Sequence, residues 1–308
     1  MLPATCRMSV CQPRWPITGL AINARAGDCV SIKTARLAPR ESVGIELICQ
    51  SAYSQSMIQS DCEFLPGVPS SLVLKRLNAA GGNEVNSGKL SSPESSAALA
   101  VNTFGWFIEQ PELLPAFPMV QVLNWPATQV EVEYCARFPW SGGKHPWLDA
   151  WVETPTAIIG VESKRFEPYR DRKDAAFSKA YDRPVWHNQM APYETLRDKL
   201  RSRTEQFLCL DAAQLVKHAF GLVTEGRRKA KKPYLVYLFA EPKERAGTPI
   251  TGESKQRHRA EIAHFAEAAK GAEVQFGAIS YREWLESWPN SDLRLAGHRR
   301  AILERFDP

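Results

Sequence analysis

Asp149 and the triplet Glu162-Ser163-Lys164 are the residues of this chain whose types and spacing could do chemistry. Both acids interrupt apolar runs, and ionisable groups are costly inside a sheet unless they are paired or bind a metal. Two carboxylates brought close repel each other unless a cation lies between them. Their hard oxygens suit Mg²⁺ or Mn²⁺, ions that keep waters and share coordination with substrate phosphates. A lysine beside them can orient or deprotonate an attacking water. Metal-assisted hydrolysis of a phosphodiester needs that set: charge neutralised at the phosphate, and an activated water in line with the leaving oxygen. The plainer account is a structural Lys–carboxylate network at a strand end. An isolated Glu-x-Lys arises by chance about once in a few hundred residues, so the weight falls on its context.

That context is HPWLDAWVETPTAIIGVESKRF, residues 145–166, which reads as two apolar strands around a short turn. Centring the hairpin on Pro155-Thr156 sets Asp149 opposite Glu162 on one face, with Cβ atoms about 4.5–5.5 Å apart. Lys164 shares that face. The same register makes Leu148, Ala150 and Val152 face Ser163, Val161 and Ile159, an apolar surface that a one-residue slip would scramble. Proline does not suit a type I′ turn, so a four-residue loop or similar is predicted.

Strand and helix signals alternate around the hairpin. A half-exposed strand is predicted at 128–138, with Val130, Val132 and Tyr134 set against Glu131, Glu133 and Cys135. Before it, Ser92-Pro93-Glu94 has the chemistry of a helix start, and the nearly all-apolar helix that follows runs to about 109, where Pro111 stops it. Asn102 inside that helix reads as the partner of a buried backbone group. After the hairpin come a charged helix at 170–181, an aromatic loop, and helices at 193–206 and 211–226. PYLVYLFAEP (233–242) is a continuous apolar run, the mark of a central strand. A helix at 256–270, a strand at 273–281 and a short helix at 282–288 complete the set. The pattern predicts an α/β domain with a mixed central sheet flanked by helices. The glycine-rich stretch at 80–93 is a loop and no phosphate-binding motif, because its spacing is wrong and Leu90 follows Lys89.

The whole chain of 308 residues has 44% apolar and 24% charged residues, ordinary for a globular protein with a sizeable core. No run approaches the roughly 18 apolar residues of a membrane span, and no secretory signal is evident. Its seven cysteines form no CxxC, and their odd number argues against a disulfide framework. A reducing, cytoplasmic setting is the expectation. The net charge of +5 gathers at 164–173, 227–232, 255–259 and 298–300, clusters that could serve a polyanion or simply be solvated faces. Residues 1–60 lack a sustained period apart from a weak strand at 43–50. They read as a poorly ordered or atypical N-terminal extension, or as an over-called start with Met57 the true beginning.

Asp149 with Glu162-Ser163-Lys164 resembles the signature of the PD-(D/E)XK nuclease superfamily, the restriction-endonuclease-like fold. The segments SSAALAVNTFGWF, HPWLDAWVET and VESKRFEPY are similar to those of bacterial PGN_0703-type restriction-endonuclease-like proteins. Leu148 stands where the superfamily's name has proline. The resemblance implies a restriction-endonuclease-like core within residues 61–308, acting as a Mg²⁺- (or Mn²⁺-) dependent nuclease on nucleic acid, most simply DNA. Asp149 and Glu162 would bind the metal, with the Ser163 carbonyl as a third ligand, and Lys164 would position the water. Some members add a glutamine from the following helix, here Gln214, or an acid from the first strand or helix, here Glu133. A solvated helix face is the reading for Lys217 and His218, a structural role for His145, and core packing for Trp147, Trp151 and Trp186. Two alternatives stay open: a non-catalytic nucleic-acid-binding module of the same fold, and a metal-dependent hydrolase of another phosphate ester. Oligomeric state is not readable, although homodimers are common among enzymes that cut both strands.

Overall fold

The computed structural model describes residues 64–80, 84–120, 124–170 and 175–308. The readings for residues 1–60, the strand at 43–50 included, lie outside them. Five strands form one mixed sheet: β1 (Gln129–Cys135), β2 (Trp147–Glu153), β3 (Ala157–Lys164), β4 (Lys232–Phe239) and β7 (Gln275–Ser280), in the spatial order β1-β2-β3-β4-β7. The first three are antiparallel, and β4 and β7 then join parallel to β3. A two-stranded ribbon, β5 (Glu244–Arg245) with β6 (Thr248–Pro249), stands apart. The fold is α/β, with a mixed sheet flanked by helices.

Helices cover both faces. One layer holds α1 (Ser70–Ala79), α2 (Ser96–Gly105), α7 (Tyr281–Glu286) and α8 (Leu293–Phe306), whose apolar side chains pack with Val132, Val152, Ile159 and Val236. The other holds α4 (Ala191–Ser202), α5 (Ala212–Lys229) and α6 (Gly252–Ala268), packed with Trp151, Ile158 and Leu235. Covering both faces is why β3 is buried along its whole length and reads as a continuous apolar run. A single-turn helix, α3 (Glu167–Arg170), follows β3. Among the described residues no helix is long and apolar enough to cross a membrane.

The hairpin adopts the predicted register, with Ala150 opposite Val161 and Val152 opposite Ile159. Pro155 and Thr156 are the centre of a four-residue turn, in which the Thr154 N–H donates to the Ala157 carbonyl (2.9 Å) and the Ala157 N–H to Thr154 Oγ1 (3.0 Å). Leu148 departs from the expected face. The ladder ends at Ala150–Val161, and Leu148 turns into the second core. It fills the space over Gly160, where an added Cβ would lie 2.7 Å from Leu148 Cδ1. β1 switches faces at the same level. Glu133 holds a left-handed φ of 52°, so Val130 and Val132 lie in the first core while Tyr134 packs on the second.

Other elements depart from the sequence reading for local reasons. Ser95, rather than Ser92, caps α2, accepting from the Ala98 N–H. Asn102 does serve buried backbone: its Oδ1 accepts from the Leu65 N–H (2.6 Å) and its Nδ2 donates to the Ala98 carbonyl (2.8 Å). The predicted charged helix at 170–181 is not continuous, since residues 175–178 are irregular. The described part holds α3 and a 3₁₀ turn at Lys179–Asp182, because Trp186 and Arg197 draw the Tyr181 carbonyl into their own hydrogen bonds. α5 runs through Gly226, whose missing side chain lets Lys231 and Pro233 pass close by. Two helices, α1 and α8, gave no clear sequence signal. In α8 the buried stripe Leu295, His298, Ile302 and Phe306 is broken by a histidine that reads as part of a basic cluster.

Candidate functional site

The parallel strands bring their C-terminal ends side by side, with Lys164 next to Phe239 and Phe239 next to Ser280. Ligands bind at such ends in open α/β sheets. Glu162 and Lys164 project from β3 toward α5. Both are buried, and the Lys164 ammonium donates to Glu162 Oε1. His218 of α5 sets its Nε2 2.7 Å from the other oxygen, Oε2. That approach is close but poorly aligned, so neither Oε2 nor either His218 nitrogen makes a well-formed hydrogen bond.

Asp149 comes in from β2. The hairpin ladder has stopped one pair earlier, and the Asp149 carboxylate takes the place of the missing backbone partner by accepting from the Ser163 N–H (2.6 Å). The Ser163 hydroxyl in turn shares a 2.7 Å hydrogen bond with the Tyr281 hydroxyl at the start of α7. Tyr281 was not singled out from sequence. The available signal was its place immediately after the last parallel strand.

The electrostatics are those of too many carboxylates for the cations present. Burial pushes the Asp149 carboxyl well above its ordinary range, the Glu162 charge adds to the rise, and Lys164 offsets only part of it. Burial also works against ionised Glu162, but Lys164 and His218 outweigh it and hold that carboxyl down at about 2. Lys164 loses favour for its charge through burial and regains more from Glu162 and Asp149, so it stays firmly protonated. Glu133 is half-buried, and burial with the charges of Glu84 and Glu162 raises it to about 7.

A cleft of about 580 Å³ opens over Asp149 and Lys164. Glu133 and Trp147 line one side, and Glu84, Lys89 and residues at the start of α2 line another. Glu167 and Arg170 of α3 close it. Glu167 ties α2 to the motif, accepting from the Ser96 hydroxyl and from the Arg165 N–H (2.9 Å). Glu84, Glu94 and Glu167 were not singled out as site residues.

The structure thus gathers Asp149, Glu162, Ser163, Lys164 and Glu133 in one place. Gln214 makes no side-chain hydrogen bond to them. The Gln214 N–H is capped by Asp211 (3.0 Å), and its side chain makes no hydrogen bond among the described residues. His218, one turn further along α5, is buried against Glu162, which corrects its reading as a solvated residue. Lys217 points away, its ammonium 5.3 Å from the Phe177 ring centroid. His145 is structural, accepting from the Phe138 N–H (3.1 Å). Trp151 stacks on Tyr134 and Trp186 on Phe220, both fully buried, whereas Trp147 stays half-buried at the cleft.

Among the described residues no three His, Cys, Asp or Glu side chains converge as a preformed metal cluster. The residues nevertheless fit a hard divalent cation. Glu162 Oε2 is buried without an aligned donor, and the repulsion that raises Asp149 and Glu133 is what such an ion would relieve. Two carboxylates with room for water are a donor set suited to Mg²⁺. No curated protein and no solved structure shows significant similarity to this chain. Residues 73–303 match the family described as restriction endonuclease associating with ARP, and the chain belongs to that restriction-endonuclease family.

Proposed function

We propose that this chain is a metal-dependent nuclease that hydrolyses phosphodiester bonds of DNA, and that Asp149 with Glu162-Ser163-Lys164 is its PD-(D/E)XK motif. The observation that carries the reading is the meeting of Asp149, Glu162 and Lys164, with Asp149 and Lys164 lining an open, acid-rich cleft and Glu162 buried behind them. Family membership points the same way, toward a nuclease and a nucleic-acid substrate. Asp149 and Glu162 would hold Mg²⁺ or Mn²⁺, with the Ser163 carbonyl beside them. When bound, the ion neutralises charge at the phosphate and makes water more acidic. Lys164 sits next to Glu162 and would orient the attacking water. From α5, His218 reaches Glu162, and Gln214, one turn earlier on the same side of the helix, is a second candidate. The narrower PGN_0703-type likeness adds nothing to these roles.

The test is incubation of the full chain with supercoiled, linear and single-stranded DNA, with Mg²⁺ or EDTA. Cleavage should require the ion, and Asp149→Asn and Glu162→Gln should each lower it by about 100-fold or more. Because Lys164→Ala leaves buried acids short of a partner, each variant is also checked for its melting temperature with and without Mg²⁺. A folded Lys164→Ala protein that cuts like wild type overturns the reading. Wild type that cuts no nucleic acid but hydrolyses small phosphate esters, or that binds DNA without cutting it, supports one of the alternatives instead.

A further inference from the structure

The catalytic cleft is a poor place to grip a polyanion. Five carboxylates line it against three basic side chains, so backbone phosphates away from the scissile one are repelled there. The grip has to come from its flank. Two of the basic clusters in the sequence, 164–173 and 255–259, lie far apart in the chain. In the fold Arg170 of the first and Arg257 of the second line one groove. That groove, of about 220 Å³, runs beside the catalytic cleft and shares Arg170 with it. Tyr169 and Arg170 of α3 form one wall, Ser254 and Arg257 of α6 the other, and no carboxylate of the described residues lines it.

Each of these side chains is placed to be used. Tyr169 is fixed as a wall by its hydroxyl, which donates to the Ala240 carbonyl (3.3 Å). Arg257 is exposed, and its contact with Glu253 (3.2 Å) is an i,i+4 surface pair on a helix, a kind of pair that adds little to stability. A phosphate could displace that contact at little cost. Arg170 holds Glu94 at 3.0 Å, across the boundary between the two grooves. The groove also carries Leu208, one of two large apolar side chains exposed among the described residues, which offers a sugar or base an apolar contact.

We infer that this flanking groove is a phosphate subsite, where Arg257, Ser254 and Arg170 hold a backbone phosphate of the bound strand away from the scissile bond. The inference rests on the nuclease reading and extends it. The strand enters or leaves the acidic cleft past α3 and α6. The subsite's charge is matched to a phosphodiester and does not depend on the catalytic ion.

The experiment is equilibrium binding of a fluorescein-labelled DNA oligonucleotide to the full chain in EDTA, by anisotropy across a range of salt concentrations. Arg257→Ala should weaken binding several-fold near 0.1 M salt and lower the salt slope by about 0.7–0.9, the value of one lost phosphate contact. Arg257→Lys should restore most of it. Arg300→Ala, on α8, should change neither quantity. A methylphosphonate walk along the oligonucleotide should show one neutralised position that costs wild type affinity and costs Arg257→Ala none. Wild type that cuts DNA while Arg257→Ala binds it with unchanged affinity and slope overturns the subsite and leaves the nuclease reading standing. Wild type that neither binds nor cuts DNA overturns both.

Discussion

At the scale of single residues, Glu133 shows how the site trades stability for charge. It holds a left-handed φ of 52°, a conformation that costs a non-glycine residue on the order of 1–3 kcal/mol, and its carboxyl is raised to about 7. The sign of the linkage follows from that rise. Below the ordinary carboxylate pKa the group is protonated in both folded and unfolded chains and adds nothing. Between that pKa and about 7 the unfolded chain ionises first, so the folded state loses stability as pH rises, by about 3 kcal/mol once pH exceeds 7. Glu133→Gln keeps the backbone geometry and removes the charge. It should therefore raise the melting temperature by several degrees at pH 8 without metal, and make little difference at pH 4. If the repulsion is what a divalent cation relieves, Mg²⁺ should also raise the melting temperature of wild type more than that of Glu133→Gln. Equal shifts would remove Glu133 from the ion's surroundings.

At the scale of elements, the hairpin was legible because its evidence is local. A period of two, a proline-threonine turn and apolar faces fix the register, and Ala150 opposite Val161 follows. Glu162 and Lys164 were found on the same grounds. What the pattern could not carry was the behaviour of the strand ends. Nothing in the residues around Asp149 says that the ladder stops one pair early, that Leu148 changes sides, or that Glu133 kinks the neighbouring strand. These are set by helices packed from distant parts of the chain. For the same reason His218 reads as solvated from the sequence: helical spacing places it on one side of α5 but does not say that this side meets Glu162. Gly160 joins the hairpin to that helix, since an added Cβ would lie 2.7 Å from Leu148 Cδ1 and 2.9 Å from Leu222 Cδ2. Both neighbours are buried and have little room to move. Gly160→Ala should cost about 1–3 kcal/mol, as overpacking a core does, read as a lower urea midpoint at an unchanged slope. It should also displace Leu148, next in sequence to Asp149, and so lower cleavage more than the loss of stability alone explains.

At the scale of the molecule, each helical layer over the sheet buries a histidine outside the site. His258 of α6 belongs to the second layer, and its Nε2 shares a 3.0 Å hydrogen bond with the Tyr237 hydroxyl. His298 of α8 belongs to the first, and its Nε2 lies 3.2 Å from the Thr103 carbonyl, to which it donates. The Nδ1 of each ring is buried without a partner, so a proton added there has nothing to meet. Burial lowers both rings to about 4. For His298 the Thr103 carbonyl recovers a little of that, and for His258 the nearby Glu241 does the same. An unfolded histidine titrates near 6.5. Above that value both states are neutral and the rings cost nothing. As pH falls from there to about 4, the unfolded chain takes up two protons that the folded chain refuses, and stability drops through the window by up to about 3 kcal/mol for each ring. A domain with a net stability of about 5–15 kcal/mol can be brought close to unfolding by that alone, with both layers loosening together because one sheet carries them. Urea unfolding at pH 7.5, 5.5 and 4.5 measures the effect. Wild type should lose stability steadily over that range, and His298→Gln, which keeps a donor for Thr103 and cannot be protonated, should lose about half as much. A variant that falls in parallel with wild type would move the acid sensitivity elsewhere, to the ion-paired carboxylates on the surface.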